Sequence, residues 1–306
     1  MLSLILKRFA QFVFVLWGIS TLVFFLQRWI PGSPADTVLG VDAPEVDKIA
    51  WLERYGFLRP VWLQYVDFLW KMLHGDMGKS YQNYTDVSQI IFPRFLETLK
   101  LALISFWLSI AIAVCVGVLS AAKQGKWIDK TTAIVSLLSI SAPTFIVGPI
   151  LMWIFAVQLE WLPLLGNLGP SSYVLPCITL GASLAAFSSR MIRSGIVDVL
   201  HEDYIRTAKS KGLSPSQILF KHALRNAFLP TLTILGMQLG VLLSGTVITE
   251  QIFNWPGLGS LVVEAVTQRE YNIVAGCVIV MATIYVFCNL IVDILYRICD
   301  PRVRYS

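Results

Sequence analysis

Residues 202–217 read Glu202-Asp203-Tyr204-Ile205-Arg206-Thr207-Ala208-Lys209-Ser210-Lys211-Gly212-Leu213-Ser214-Pro215-Ser216-Gln217, and they separate two apolar stretches, 173–189 and 229–248. Glu202 and Asp203 open a helix and Lys209 and Lys211 close it, the charge order that a helix dipole favours. Glu202 and Arg206 stand four residues apart, the spacing of a helical ion pair. Gly212 suits the position just past a helix end, where a left-handed backbone is cheap for glycine. Ser214, Pro215 and Gln217 then spell a second start, as N-cap, first helical residue and far side of a capping box. This second helix is expected to run to about Phe228, with Pro230 opening the next apolar stretch. The first helix has room for about three turns. It should expose Tyr204, Ile205, Thr207 and Ala208 beside basic side chains. A short helix held between two apolar stretches fits the groove of a partner or a surface of anionic lipid. The residues alone leave both readings open.

Outward from this segment the chain is apolar. Of its 306 residues 56% are hydrophobic and only 14% charged, and the mean hydropathy is +0.68. Soluble domains carry about 25% charge, so disorder is excluded and an ordinary soluble enzyme is disfavoured. Six stretches can cross a hydrocarbon core of about 30 Å: 9–26 (continued to Ile30), 99–122, 131–159, 173–189, 229–248 and 273–296. The 173–189 stretch is rich in Gly, Ala and Ser, residues that let transmembrane helices approach closely. The first stretch is too long for a signal-peptide core and has no small-residue cleavage site after it, so it reads as a retained span. The net charge of +5 is not scattered. Lys7 and Arg8 precede the first span, and Lys123, Lys126 and Lys130 fill the second connection. The fourth connection holds Arg190, Arg193, Arg206, Lys209, Lys211, Lys221 and Arg225, and Arg297, Arg302 and Arg304 end the chain. The third connection has no Lys or Arg and the fifth only Arg269. This is the positive-inside pattern, with both termini cytoplasmic. The basic excess therefore points to membrane loops and not to nucleic acid.

The expected organisation is a first transmembrane helix over 1–30, an external segment over 31–94, a core over 95–296 that contains the cytoplasmic loop 190–229, and a tail over 297–306. In the external segment, 60–70 places aromatic and aliphatic residues at helical spacing, with Pro60 as first residue and an end near His74-Gly75. Gly236, Gly240 and Ser244 recur every four residues, a small-residue packing face. Pro143 and Pro149 are expected to kink the third span.

Catalytic chemistry finds no foothold. There is no GxxxxGK[ST] phosphate loop. His201-Glu202 is not followed by a second His, because position 205 is Ile205. The five cysteines form no CxxC or Cys/His cluster. Asp293 is the one intramembrane carboxylate, and an ion pair with Arg297 explains it better than a proton relay, which needs several such groups. A membrane path with no energy source of its own needs a partner engine or an ion gradient. A stand-alone secondary transporter is the main rival reading, and an intramembrane enzyme the lesser one.

Residues 203–213 resemble the coupling motif of permease subunits of binding-protein-dependent ABC importers, in the form seen in the dipeptide, oligopeptide and nickel (B-type) branch. His222-Ala223-Leu224-Arg225-Asn226-Ala227 and Leu229-Pro230 continue the likeness. Arg206-Thr207-Ala208 stands where many importers have Glu-Ala-Ala, as is usual in the peptide branch. Further likeness lies in Lys7-Arg8, Pro31-Gly32-Ser33-Pro34-Ala35, Gln64-Tyr65, Gly75-Asp76-Met77-Gly78-Lys79-Ser80, and Asn289, Asp293, Tyr296 and Asp300-Pro301-Arg302. It also includes the loop Glu250-Gln251-Ile252-Phe253-Asn254-Trp255-Pro256-Gly257-Leu258-Gly259.

The resemblance implies an all-α membrane protein of the type I importer permease fold with six transmembrane helices, in the bacterial inner membrane. It implies pairing with a second homologous permease, two cytoplasmic ATP-binding subunits that hold ATP and Mg, and an external solute-binding protein. No cofactor is expected in this chain. Asp203, Tyr204, Ile205, Arg206, Thr207, Ala208, Lys211 and Gly212 are then the residues that couple to the ATPases. Glu250, Phe253, Trp255, Pro256, Gly257 and Gly259 belong to an external gate and docking loop. Short peptides are the default cargo, with nickel and glutathione as alternatives.

Overall fold

The computed structural model describes residues 2–29 and 32–299, without the side chains of 2–8, 37, 229, 230, 232, 233, 244, 245 and 293–299. The expected Asp293–Arg297 pair, the side chains of Lys7, Arg8 and Ser244, and Pro31, Asp300, Pro301 and Arg302 lie outside the described residues. Two compact units are present. One comprises the chain up to Thr98 together with Pro256–Phe287, and the other Leu99–Trp255 with the chain from Cys288 onward.

The first unit begins with α1 (Leu2–Trp29), followed by α2 (Pro34–Leu39), α3 (Glu45–Arg54) and α4 (Val61–Leu73). Pro60 is the N-cap of α4, one residue earlier than the sequence suggested, and His74 closes it. The inner face of α4 packs on α1. The Tyr65 and Thr21 hydroxyls are 2.7 Å apart, and Phe24 meets the rings of Tyr65 and Phe68 at 5.2 and 5.4 Å. Arg28 lies over the Phe24 ring and donates to Gln64. Trp51, Tyr55, Phe57 and Tyr81 build an aromatic cluster around Ala35 and Tyr271. Burial lifts the Tyr81 phenol far above its ordinary range. Beside it the buried carboxylate of Glu270 accepts from Ser80 Oγ (2.7 Å), Tyr81 N (2.9 Å) and Gln82 N (2.9 Å). Those three donors fix the turn around residue 80, since a buried carboxylate is tolerated only when hydrogen-bonded. The apolar core joins the start of α5 (Val87–Ala122), α13 (Leu258–Thr267) and α14 (Tyr271–Cys299) through Val87, Ile91, Leu258, Leu261, Ile273 and Cys277.

The second unit holds the rest of α5, then α6 (Trp127–Ser141), α7 (Thr144–Met152), α8 (Val174–Leu200), α9 (Asp203–Ser210), α10 (Pro215–Gln217), α11 (Leu224–Gly245) and α12 (Val247–Ile252). Its core is made by Ala113, Val118 and Ala121 of α5, Ile192 and Ile196 of α8, Ala223, and Ala227 of α11. Small residues set the spacing. A Cβ on Gly195 would lie 3.0 Å from the Ala227 side chain, so α8 and α11 approach almost backbone to backbone. Asp129 ties the α5–α6 connection to α8. It accepts from Arg193 Nε and Nη2 (2.5 and 2.7 Å), from Ser120 Oγ (2.6 Å) and from Gly125 N (2.9 Å).

Among the described residues four helices are long and apolar enough to cross a membrane: Phe9–Trp29, Val87–Ala122, Pro170–Leu200 and Tyr271–Val292. The third expected span is not one straight helix. Trp127–Ser141 and Thr144–Gln158 meet at 104°. The break falls at Pro143, which has no N–H to continue the ladder and instead caps α7. Pro149, expected to kink the span, lies inside α7 without breaking it, and a π-helical turn follows at Trp153–Gln158. The fifth expected span corresponds to α11, whose apolar stretch is Ile234–Leu243.

Candidate functional site

The segment between α8 and α11 folds as two helical starts around a sharp joint. Only His201 and Glu202 separate α8 from α9. Glu202 is the N-cap in extended backbone but makes no side-chain cap. The expected Glu202–Arg206 pair does not form. Arg206 instead reaches Asp203 at 3.7 Å, with both side chains largely exposed, where such a pair contributes little.

The C-terminal end of α9 is a Schellman motif. Gly212 N donates to Lys209 O (3.0 Å) and Leu213 N to Ala208 O (3.4 Å). Gly212 has φ +79, with open space where a Cβ would be. These bonds satisfy carbonyls that the helix end would leave without partners. Two residues on, Ser214 Oγ accepts from Gln217 N while Gln217 Oε1 accepts from Ser214 N, which completes the expected capping box. The helix beyond it differs from expectation. α10 passes into a π-helical turn, Ile218–Ala223, and α11 then continues without a break through Pro230. The π turn, and not a loop at Pro230, absorbs the change in register.

The expectation that Ile205 and Ala208 are exposed is corrected. Ile205 is 0% exposed and Ala208 7%. They pack with Ile218, Val199, Leu200 and Leu213. The spacing explains it: residues 205 and 208 share one face of a helix, and that face turns toward its own chain. Val199 and Leu200 also pack on the α5–α8–α11 core, so apolar contact runs unbroken from α9 into the membrane helices. The outward face carries Asp203, Arg206, Thr207, Lys209, Ser210 and Lys211, all exposed. Tyr204 is half-exposed and accepts from Asn226 Nδ2 at 2.7 Å. Sequence reasoning missed this tether to α11 and the Asp129–Arg193 pair, because both join residues far apart in the chain.

The other expected site residues are placed as follows. Glu250, Phe253 and Trp255 are buried within the second unit. Glu250 accepts from Thr246 Oγ1 (2.7 Å), Trp255 N donates to the Glu250 carbonyl (2.7 Å), and the Trp255 ring meets Tyr173 at 4.5 Å. Gly166 N donates to the Phe253 carbonyl (2.9 Å). These residues are thus held inside the loop by side-chain and backbone contacts. Pro256 is half-buried, and Gly257 and Gly259 are buried at the start of α13. On α11, Gly236 faces Val292 so closely that a Cβ would collide with it, and Gly240 is buried. No group of His, Cys, Asp or Glu able to hold a metal occurs among the described residues.

Comparison with known proteins bears on the same segment. Residues 113–305 match the family profile described as "Binding-protein-dependent transport system inner membrane component". Residues 1–102 match the corresponding N-terminal profile. Glutathione transport system permease protein GsiC of Salmonella choleraesuis is 38% identical over 307 residues, covering 100% of both chains. Its namesake in Escherichia coli K12 is 35% identical over 308 residues with the same coverage. Among solved structures, the MetNI methionine ABC transporter in an inward-facing conformation matches with TM-score 0.56 at 17% identity, covering 69% of this chain and 97% of its own. An amino acid ABC transporter crystallised with histidines matches with TM-score 0.53 at 18% identity, covering 70% and 94%. At such identities the two structures speak for the fold alone.

Proposed function

The chain belongs to the family of inner-membrane components of binding-protein-dependent transport systems, the ABC importer permeases, and on that basis we propose that it forms half of a translocation path for a short peptide. Glutathione, a tripeptide with one γ-linkage, is the first cargo to test, since it is named for relatives that align with the whole chain. A second, homologous permease supplies the other half of the path. An external binding protein delivers cargo, and two ATPase subunits that hold ATP and Mg provide the energy. The end of the chain that carries α9 faces the cytoplasm, and the chain performs no catalysis itself.

One observation carries this reading. A helix of eight residues, α9, shows a polar face outward, is anchored by Ile205 and Ala208, and is closed at both ends by short joints. Such a body can move as a unit. Closure of the ATPase pair displaces α9, and its apolar anchor passes the displacement to α8 and α11. Nucleotide shifts the inward–outward balance only by its differential affinity for the two states. In this reading Arg206, Thr207 and Lys211 contact the ATPase, while Ile205 and Ala208 transmit.

The test is reconstitution of the chain with its second permease, ATPases and binding protein in liposomes, followed by uptake of labelled glutathione and di- and tripeptides. ATP-dependent uptake that requires every partner is expected. Uptake by this chain alone would overturn the importer reading. ATP-dependent uptake of none of these peptides would overturn the cargo assignment only.

A further inference from the structure

A cavity of about 350 Å³ opens between α5, α6 and α8, lined by Ser120, Asp129, Lys130, Ser136, Arg190 and Arg193 among others. Asp129 and Arg193 neutralise each other within it. Lys130 and Arg190 are exposed and have no carboxylate partner among the described residues. Thr132, Ser136, Ser189 and Ser194 add hydroxyls to the wall. Most of those hydroxyls are spent on partners within the chain, so the cavity offers two uncompensated cations while its one carboxylate is already engaged, which is the chemistry of an oxyanion site.

The surroundings narrow the class. Val116 and Ala133 form an apolar part of the wall. One helical turn further into the membrane, the same faces carry Ile112, Leu137 and Phe187, all exposed. In the opposite direction stand Lys123, Lys126 and the 72%-exposed Trp127, and tryptophan is enriched at the membrane–water boundary. The trough thus holds Lys130 and Arg190 and borders exposed apolar side chains on one side. A free phosphate ion would use only the two cations.

We infer that this cavity holds the phosphate head group of an anionic phospholipid, phosphatidylglycerol or a relative, with Lys130 and Arg190 on its oxygens and an acyl chain along Ile112, Leu137 and Phe187. Basic pockets between transmembrane helices are known receptors for such head groups. The choice of leaflet rests on the proposed orientation of α9. The existence of the site does not.

The test uses the complete transporter. The complex is purified from membranes, washed with phosphatidylcholine micelles, and its retained phosphatidylglycerol is counted by native mass spectrometry. The wild type should retain phosphatidylglycerol that inorganic phosphate in millimolar excess does not displace. The Lys130→Gln/Arg190→Gln double variant should lose it by about tenfold or more in relative affinity. A control, Lys123→Gln/Lys126→Gln, removes equal charge outside the cavity and should keep it. Equal retention by the cavity variant, equal loss in the control, or displacement by inorganic phosphate would each overturn the lipid site. The orientation is read separately, by maleimide labelling of Thr207→Cys in sealed vesicles.

Discussion

The stop after α9 can be tested by a graded series at Gly212. The Cβ of any replacement enters open space, so no steric clash with neighbours accompanies the change. What remains is backbone strain at φ +79. For an L-residue in the left-handed region that strain is about 1–2 kcal/mol. Asparagine tolerates the region better than alanine, and a β-branched residue worse. The strain opposes the two bonds Gly212 N to Lys209 O and Leu213 N to Ala208 O, and it frays α9 from its C-terminal end. Since about 1.4 kcal/mol is tenfold in an equilibrium, Gly212→Ala should speed amide exchange over 207–213 by about tenfold. Gly212→Asn should show less and Gly212→Val more. The assay is hydrogen exchange on the reconstituted complex, with peptide uptake per ATP hydrolysed measured on the same samples. The uptake ratio should fall in the order Gly, Asn, Ala, Val, while membrane insertion stays unchanged. Exchange and uptake at wild-type level in Gly212→Val would refute the view that a left-handed stop holds α9.

Arg206→Glu reverses a charge on an exposed side chain whose ion pair with Asp203 is weak and local; the variant should insert normally but copurify with less ATPase subunit, as read by band intensity after affinity capture. Asp129→Ala removes the acceptor for Arg193, Ser120 and Gly125 and should cost about 1.5–3 kcal/mol, the range for hydrogen bonds to a charged group, seen as a melting temperature lowered by a few degrees. Ser120→Ala should cost nearer about 1 kcal/mol. In the first unit Lys48 donates to Asp36 at 2.9 Å and holds its carboxyl below the ordinary carboxylate range. The folded form then binds fewer protons than the unfolded one, so this stabilisation is complete above about pH 4 and is lost as pH falls through the lowered folded value. Melting followed by tryptophan fluorescence should weaken on acidification below that point in wild type, and the slope should flatten in Asp36→Asn.

Local chemistry was the part of the structure legible in the sequence. The capping box at Ser214–Gln217, the glycine stop at 212 and the helix from 61 each depend on neighbours within four residues, and each stands where its signals lie. The side of α9 that faces inward was misread. Ile205 and Ala208 stand three apart on one apolar face, but what covers that face, Ile218, lies thirteen positions after Ile205, across a turn. The bend of the third span stands at Pro143, where the sequence places a kink, but its size was not legible. Hydropathy measures length without direction, and the 104° turn at Pro143 leaves apolarity unchanged. The loop residues Glu250, Phe253 and Trp255 were placed by resemblance alone, and their burial beside Thr246, Tyr173 and the Gly166 amide was not legible from neighbours in the chain.

The two routes out of α9 are unequal. Toward α8 the path is two residues long and ends in an unbroken helix of 27 residues, so a push arrives as tilt of a stiff strut. Toward α11 it crosses a left-handed elbow, a capped single turn and the π-helical turn at Ile218–Ala223. A π turn holds about one residue more than its α-helical neighbours, and absorbing or restoring that residue re-phases the helix on its far side by roughly 100°. The same stroke can therefore lean one strut while it rolls the other. That difference in gearing gives a single small helix two distinct outputs.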